Sequence, residues 1–576
     1  MYDLVIRGAQ IVDGSGEAAF TGDVAITGET IAAVGGKLGQ GRRELEADGL
    51  ILAPGWVDVH THYDGQATWD PYLTPSSWHG VTTAVMGNCG VGFAPADPAR
   101  HDWLIGLMEG VEDIPGTALA EGIQWNWETF PEYMDALEAS PRALDLAAQV
   151  PHGAVRAYVM GERGATDVDA NEDERRAMAA IVGEAVRAGA VGFTTSRTVL
   201  HRSIDGEVVP GTDADAAELT TIARAMGEAG GAVFEVASDL APERDELAWM
   251  DEIIDRAGCP VTFACIQNDE DPAQWQRLLD YAARRGQGLY PQVAIRPPGV
   301  LMCLEGTHPF TGRAGYRAIA DLPMEARVAE MRKPEVRAAI LEQPDGRPAR
   351  LLRLLFMEGK AMNTTIADYD RIFWLGDPPE YEPDAAQSIA ALARARGQSP
   401  DATAYDLLLE KAGRAFLYSP LFNYNAGNYD VAREMMLHPS TVLGISDGGA
   451  HCGMICDASA PTYLLAHFVR DRRRGDRIGL EQAIRMQTRD TALLYGLEDR
   501  GLIRPGLRAD INLIDFQRLS LPVPEMVYDL PAAGQRLVQR ANGYHTTVVR
   551  GAVTFENGVA TGELPGHLVR GRQRVA

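Results

Sequence analysis

The chain has 576 residues and a net charge of −27, so it is long enough for two domains and lacks the basic surface that nucleic acid or an anionic membrane requires. It has no apolar run near the roughly 20 residues of a membrane span, no signal-peptide pattern and no CxxC pair among its six cysteines. These features argue against a membrane protein or a disulfide framework and predict a cytoplasmic protein with reduced thiols.

Both ends of the chain have the pattern of short β-strands. "YDLVIRGAQIVDG" and "GDVAITGETIAAVGG" alternate with period two and break at glycines, as hairpins do. The C-terminal stretch "YHTTVVRGAVTFENGVATG" has the same pattern. We therefore expect residues 1–55 and 499–576 to form one small β-sandwich domain.

Between these ends, β-branched runs alternate with helix-like stretches that end in glycine, such as "DERRAMAAIVGEAVRAGAVGFTTSR". This is the βα repeat of a parallel sheet, and residues 56–498 contain enough units to close a TIM-type (β/α)8 barrel. The alternation of strands and helices is lost from about residue 296 to 436. Prolines and mixed polarity there predict a long insertion before the last barrel strand.

The first barrel strand carries two histidines in "WVDVHTH". Because side chains alternate along a strand, Asp58, His60 and His62 share one face and the apolar residues share the other. The polar face is expected to point into the barrel near its C-terminal mouth, where such barrels carry their chemistry. Two imidazoles held in this way can bind one metal ion; alternatively, they are rim residues bonded to backbone.

Two later strands end in further candidate groups. "VTTAVMGNCG" places Cys89 just past the second strand, and "STVLGISDGGAH" places Asp447 at the end of the last one. Such a cysteine can be a metal ligand or only a small buried hydrophobe. Such an aspartate can meet a water in the metal site or only cap a turn.

Together these stretches resemble the amidohydrolase superfamily. "APGWVDVHTH" after an N-terminal β domain, the Asp447 strand and the return "GLIRPGLRAD" carry the resemblance. Within the superfamily, "HTHYD", "GNCG" and "WNWETFPEYMDALE" are similar to the D-aminoacylase (N-acyl-D-amino-acid deacylase) branch. The resemblance implies a zinc enzyme with a cysteine in its metal site and a strand-end aspartate that shuttles the proton.

Lysine usage bears on the number of metal ions. Many superfamily members bridge two metals with a carboxylated lysine on the fourth strand, but the candidate here, "AVGFTTSRT", has none. The four lysines of the chain lie elsewhere, at Lys37, Lys333, Lys360 and Lys411. This argues against hydantoinase-type two-metal chemistry.

The sequence departs from the D-aminoacylase pattern at the fifth and sixth strands, where the branch has histidines. The fifth strand offers Glu235, Ser238 or Asp239, and the sixth offers Cys265. We expect one zinc ion, with a second ion as the alternative and with Cys265 as an additional ligand left open. The predicted ligands are His60, His62, Cys89 and Asp447.

Several polar residues near strand ends are candidates for contact with substrate. Arg197 could pair with a substrate carboxylate, although a salt bridge within the protein is the alternative. His451, four residues after Asp447, could orient substrate or line the rim. The predicted substrate-binding residues are Asp64, Arg197, His201, Gln267, Gln292 and His451.

These elements predict a metal-dependent hydrolase that cleaves a C–N amide bond of a small molecule, such as an N-acyl amino acid. Asp447 would take a proton from water and deliver it to the departing amine. A cyclic-amide or ester hydrolase, a metal-dependent lyase or decarboxylase, and a non-catalytic barrel are the alternatives. Assembly into a homo-oligomer is left open.

Overall fold

A barrel of eight parallel strands forms the centre of the computed structural model, which describes residues 1–166, 169–240, 244–342 and 368–574. The strands follow one another around the barrel in chain order. Barrel strands 1 to 8 are Trp56–Thr61, Val81–Met86, Asp145–Pro151, Gly192–Arg197, Val233–Ser238, Val261–Ala264, Leu289–Ala294 and Val442–Gly444.

Strands 1 and 8 meet just beyond the end of strand 8. The backbone N–H of Asp447 donates to the carbonyl of His60 at 3.1 Å, and the N–H of His62 donates to the carbonyl of Gly448 at 2.7 Å. Val57 and Val59 belong to an apolar cluster with Ala492 on the outside of the barrel. The predicted TIM-type barrel is confirmed, and the apolar face of strand 1 is the one that packs outward.

The barrel strands alternate with helices, as the βα pattern predicts. In the longest one, Glu172–Ala188, the Asn171 side chain accepts from the N–H groups of Asp173 and Glu174, and Gly189 ends the helix at φ 116°. The helices around the barrel are His101–Glu112, Gly116–Gly122, Phe130–Ala139, His152–Met160, Glu162–Ala165, Glu172–Ala188, Ala216–Glu228, Glu246–Glu252, Gln274–Arg285, Asp430–Leu437, Ala460–Tyr463, Leu480–Arg485 and Thr491–Leu494.

Both chain ends contribute to one nine-stranded sheet, which confirms the predicted second domain of β structure. The ends meet where Ile51–Pro54 pairs antiparallel with Ile511–Ile514. The strands of this sheet are Tyr2–Ile11, Phe20–Thr27, Thr30–Gly35, Gly41–Glu46, Ile51–Pro54, Ile511–Ile514, Tyr544–Val549, Ala552–Glu556 and Val559–Ala560. A separate hairpin pairs Glu525–Leu530 with Gly534–Val538.

The segment between barrel strands 7 and 8 has its own apolar core, which includes Phe310, Ile340 and Tyr405. In its described part, the short strands are Gly299–Met302, Phe373–Trp374 and Leu417–Pro420, and the helices are Ala314–Arg317, Met324–Met331, Pro334–Leu341, Ile389–Arg396 and Pro400–Leu408. Residues 343–367 of the predicted insertion, with Lys360, lie outside the described residues. In the parts of the chain that are described, no helix is both long and apolar enough to cross a membrane.

A buried ion cluster ties this segment to the barrel. The Glu382 carboxylate accepts from Arg472 at 2.9 and 3.1 Å and contacts His467 at 2.7 Å. Arg472 also donates to Asp430 at 2.7 Å. Burial by itself would raise the pKa of Glu382, but the hydrogen bonds with His467 and Arg472 lower it to about 2.

We expect Glu382→Gln to lower the free energy of unfolding by about 3–5 kcal/mol at pH 7, because it removes the buried charge partner of Arg472 and leaves only the exposed Asp430. Since the pKa of Glu382 is depressed in the folded state, its contribution is present above about pH 4.5 and is lost as the pH falls towards about 2. Denaturant unfolding at several pH values should show the difference from wild type shrinking on acidification.

Glu335→Gln is the matched control for this measurement. Glu335 is an exposed carboxylate on a helix of the same segment, so its replacement should change stability by no more than about 0.5 kcal/mol. Equal effects of the two substitutions at pH 7 would contradict the role of the buried cluster.

Candidate metal centre

Three side chains with metal-ligand chemistry converge at the mouth of the barrel. Ligand atoms of His60, His62 and Cys89 all lie within 4.8 Å of one another, and all three residues are buried. The Cys89 Sγ lies 3.4 Å from Nε2 of His60. Neutral imidazole and thiolate are the donors that zinc prefers in proteins.

The turn after strand 2 brings Cys89 to this position. Gly87 (φ 86°) and Cys89 (φ 59°) both adopt left-handed backbone conformations, which is uncommon for a cysteine. The side-chain amide of Asn88 donates to the carbonyl of Thr61 at 3.0 Å and so links the turn to strand 1. The N–H of Cys89 donates to the Glu235 carboxylate of strand 5 at 3.1 Å.

Asp447 reaches both histidines from the end of strand 8. Its Oδ1 lies 3.3 Å from Nε2 of His60 and 3.6 Å from Nε2 of His62. Ligand atoms about 2.0–2.3 Å from one tetrahedral ion lie about 3.3–3.8 Å from each other. The distances from His60 to Cys89 and to Asp447, and from His62 to Asp447, are therefore those of groups that could share one ion. The ligand atoms that all lie close to one another are those of His60, His62 and Cys89.

Several buried polar atoms around this cluster have no completed hydrogen bond. They are both ring nitrogens of His62, Oε1 of Glu112, Oε1 of Glu235 and Nε2 of Gln292. Buried polar atoms without partners are costly. A cation bound at Nε2 of His62 would occupy the lone pair of that nitrogen, so the residues present fit a metal ion.

The electrostatics of the cluster favour a cation as well. Burial raises the pKa of Glu112 and of Glu235, the latter to about 7, and burial and nearby carboxylates raise that of the Cys89 thiol. Burial lowers the pKa of His62 to about 4, so this imidazole is neutral. A divalent ion would compensate the negative charge that these acids carry when ionised.

Glu112 is a member of the cluster that the sequence did not indicate. It ends the helix His101–Glu112, with its Oε1 3.3 Å from Nδ1 of His62 and its Oε2 3.7 Å from Nε2 of His451. In sequence it is one of several acids in "LMEGVEDIP". No local signal separates it from Glu109, so only the tertiary structure identifies it.

Of the predicted substrate-binding residues, Gln292, Asp64 and His451 lie against the cluster or its turn. Oε1 of Gln292 is 3.0 Å from Nδ1 of His60, and Asp64 accepts from the N–H of Gly87 at 3.1 Å. The Nε2 of His451 lies 4.0 Å from Oδ2 of Asp447.

Arg197 and Cys265 have other environments. Arg197 is buried and donates to Glu246 at 2.8 Å, so its guanidinium is engaged within the protein. Cys265 lies in the apolar core, and among the described residues it is not in the group with metal-ligand spacing. Burial raises the pKa of its thiol to about 12, as expected of a protonated core cysteine.

His201 and Gln267 lie near strand ends and have other hydrogen-bond partners. Nδ1 of His201 lies 3.0 Å from the hydroxyl of Ser196, and burial lowers its pKa to about 3. The N–H of Gln267 donates to the side chain of Asn423 at 2.6 Å. Asp239, offered by strand 5, accepts from the N–H of Val199 at 2.9 Å.

Comparison with known proteins gives consistent results. The chain is 26% identical to a D-aminoacylase of Alcaligenes xylosoxydans xylosoxydans, over 99% of this chain and 97% of the relative. A crystal structure of D-aminoacylase superposes with a TM-score of 0.64 at 22% identity, covering 99% of this chain and all of the other. The structure of N-acyl-D-glutamate deacylase from Bordetella bronchiseptica superposes with a TM-score of 0.61 at 23% identity, and the match covers 99% of each chain.

A profile of the Amidohydrolase family matches residues 43–555, which is nearly the whole chain. The match spans the barrel and parts of the β domain at both ends. The resemblance carried by "APGWVDVHTH" and "GNCG" is thereby confirmed, and the chain belongs to the Amidohydrolase family.

Proposed function

We propose that this protein is a zinc-dependent hydrolase that cleaves the C–N amide bond of a small N-acylated amino acid. The observation that carries the proposal is the buried group of His60, His62 and Cys89 at the barrel mouth, with Oδ1 of Asp447 at 3.3 and 3.6 Å from the two histidines. Its relatives support the substrate class, since they include a D-aminoacylase and an N-acyl-D-glutamate deacylase complexed with zinc and a phosphonate inhibitor.

We infer a single ion at this site. No lysine occurs on strand 4 to bridge two metals. Strands 5 and 6 carry no histidine for a second ion. The Glu235 carboxylate of strand 5 accepts from the backbone N–H of Cys89, and Cys265, just after strand 6, lies in the apolar core. The ligand set would be His60, His62, Cys89 and Asp447, whose two negative charges balance one divalent ion.

When bound, a divalent ion would acidify a water and polarise the amide carbonyl. Asp447 would accept the proton of the attacking water and return it to the amine nitrogen as the C–N bond breaks. Burial raises the pKa of Asp447, but its contact with His62 and the charges of the neighbouring histidines hold it below the ordinary value. The carboxylate is therefore ionised and able to act as the base.

His451 is the residue best placed to meet a substrate beside this base. It is only partly buried, and its Nε2 faces both Glu112 and Asp447. A positive φ of 52° at His451 turns the loop after strand 8 towards the site. It could donate a hydrogen bond to the acyl group or to the departing amine.

The metal content of purified variants tests the ligand set. We expect about one equivalent of zinc in wild type and in Cys265→Ala, and little in His60→Ala, because His60 belongs to the cluster and Cys265 to the core. Elemental analysis of dialysed protein measures this. Two equivalents in wild type, or loss of zinc in Cys265→Ala, would contradict the proposed site.

The activity of Asp447→Asn tests the reaction. With zinc in excess, we expect hydrolysis of N-acetyl-D-amino acids to fall by about 10²–10⁴-fold, since the amide cannot accept the proton. Wild type should release acetate and the free amino acid in equal amounts, measured by chromatography.

Asp102→Asn is the control, because Asp102 is an exposed carboxylate at the start of the helix His101–Glu112. It should keep wild-type activity. Products other than an acid and an amine would favour a lyase or a decarboxylase instead.

A further inference from the structure

We propose that Glu112 is a positioning residue of the metal centre that holds His62 by its outer ring nitrogen. The inference rests on the proposed function, because it assumes that His62 binds the ion. It assigns a role to a residue that lies on a helix outside the barrel sheet and that is 2% exposed.

The two histidines of strand 1 have matching surroundings. In each, Nε2 faces Oδ1 of Asp447, at 3.3 Å for His60 and 3.6 Å for His62. In each, an oxygen lies near Nδ1. Oε1 of Gln292 is hydrogen-bonded to that of His60 at 3.0 Å, whereas Oε1 of Glu112 lies 3.3 Å from that of His62 without hydrogen-bond alignment. Nε2 therefore faces Asp447 in both rings, and with an ion bound at Nε2 the Glu112 carboxylate would take the place at His62 that Gln292 has at His60.

This arrangement decides which nitrogen of each ring carries the proton. An amide oxygen or a carboxylate can only accept from Nδ1–H, so Gln292 holds the tautomer of His60 whose Nε2 carries the lone pair, and Glu112 would do the same for His62. A carboxylate behind a metal-bound imidazole also makes the imidazole a stronger donor. The charged partner at His62 and the neutral partner at His60 would therefore make the two ligands unequal.

The position of Glu112 is unfavourable in the absence of a nearby cation. A carboxylate in the last turn of a helix faces the negative end of the helix dipole. The basic groups beside the Glu112 carboxylate in the described part of the chain are the imidazoles of His62 and His451.

The backbone holds Glu112 against the loop that carries Asp447. The N–H of His451 donates to the carbonyl of Glu112 at 2.5 Å. The next residue, Asp113, ends the helix at φ 53° and accepts from the N–H of Gly453 at 3.0 Å. The helix end and the loop after strand 8 therefore form one unit, in which the Glu112 carboxylate lies between His62 and His451.

The test is the zinc affinity of Glu112→Ala and Glu112→Gln, measured by competition with a chromophoric chelator. We expect the affinity of Glu112→Ala to fall about 10–100-fold, as for other lost partners of metal-bound histidines. Glu112→Gln should lose less, because its amide oxygen can still accept from Nδ1–H, as that of Gln292 does. Asp102→Asn, on the same helix, should bind zinc as wild type does.

The absorption spectrum of the cobalt-substituted protein separates positioning from a general effect on folding. A changed visible spectrum in the Glu112 variants, with unchanged thermal unfolding of the metal-free protein, would support the proposal. Wild-type zinc affinity and a wild-type cobalt spectrum in both variants would overturn it, and so would an affinity loss no larger than that of Asp102→Asn.

If Glu112→Ala does not fold, Glu112→Gln decides alone by the same two readouts. His60→Ala is measured beside these variants to keep the two proposals separate. Retention of zinc by His60→Ala would mean that the metal centre itself is misassigned. Loss of zinc by His60→Ala together with normal binding by both Glu112 variants would overturn only the role of Glu112.

Discussion

The site depends on the closure of the barrel between its first and last strands. Two backbone hydrogen bonds, from Asp447 to His60 and from His62 to Gly448, hold the chain just after strand 8 against the end of strand 1. They place the Asp447 carboxylate within 3.6 Å of both inner imidazole nitrogens. Because all eight strands are parallel, the ends that carry polar residues meet at a single rim.

Negative charge is concentrated at this rim and is almost fully removed from water. Asp58, Glu112 and Glu235 are each less than a tenth exposed, and the Asp447 side chain, which contacts both histidines, is 13% exposed. Ser446 donates to Asp58, and backbone groups satisfy part of the rest, but the atoms facing the cluster remain without partners. A cation in the pocket would account for this excess of buried carboxylates over hydrogen-bond partners. Without one, neighbouring buried carboxylates repel each other and take up protons.

The segment between strands 7 and 8 is a second small unit packed on this framework. It has its own apolar core, and its attachment relies on charge as well as on apolar contact, through Glu382, Arg472 and His467. Arg296, two residues past strand 7, adds a buried pair with Asp457 and lies over the ring of Tyr381 at 3.9 Å. These contacts link the segment to the loop after strand 8, which carries the proposed base.

The sequence alone was sufficient to predict the barrel and the β domain formed from both chain ends. It also predicted that His60, His62, Cys89 and Asp447 lie at strand ends. Period-two alternation and the βα rhythm are local signals, and a closed parallel barrel converts chain order into position on the rim. Glu112, the pairing of Arg197 with Glu246 and the burial of Cys265 in the core were decided only by the tertiary structure. Each depends on a contact between segments far apart in sequence, and nothing in the local pattern distinguishes Glu112 from Glu109, one helical turn away.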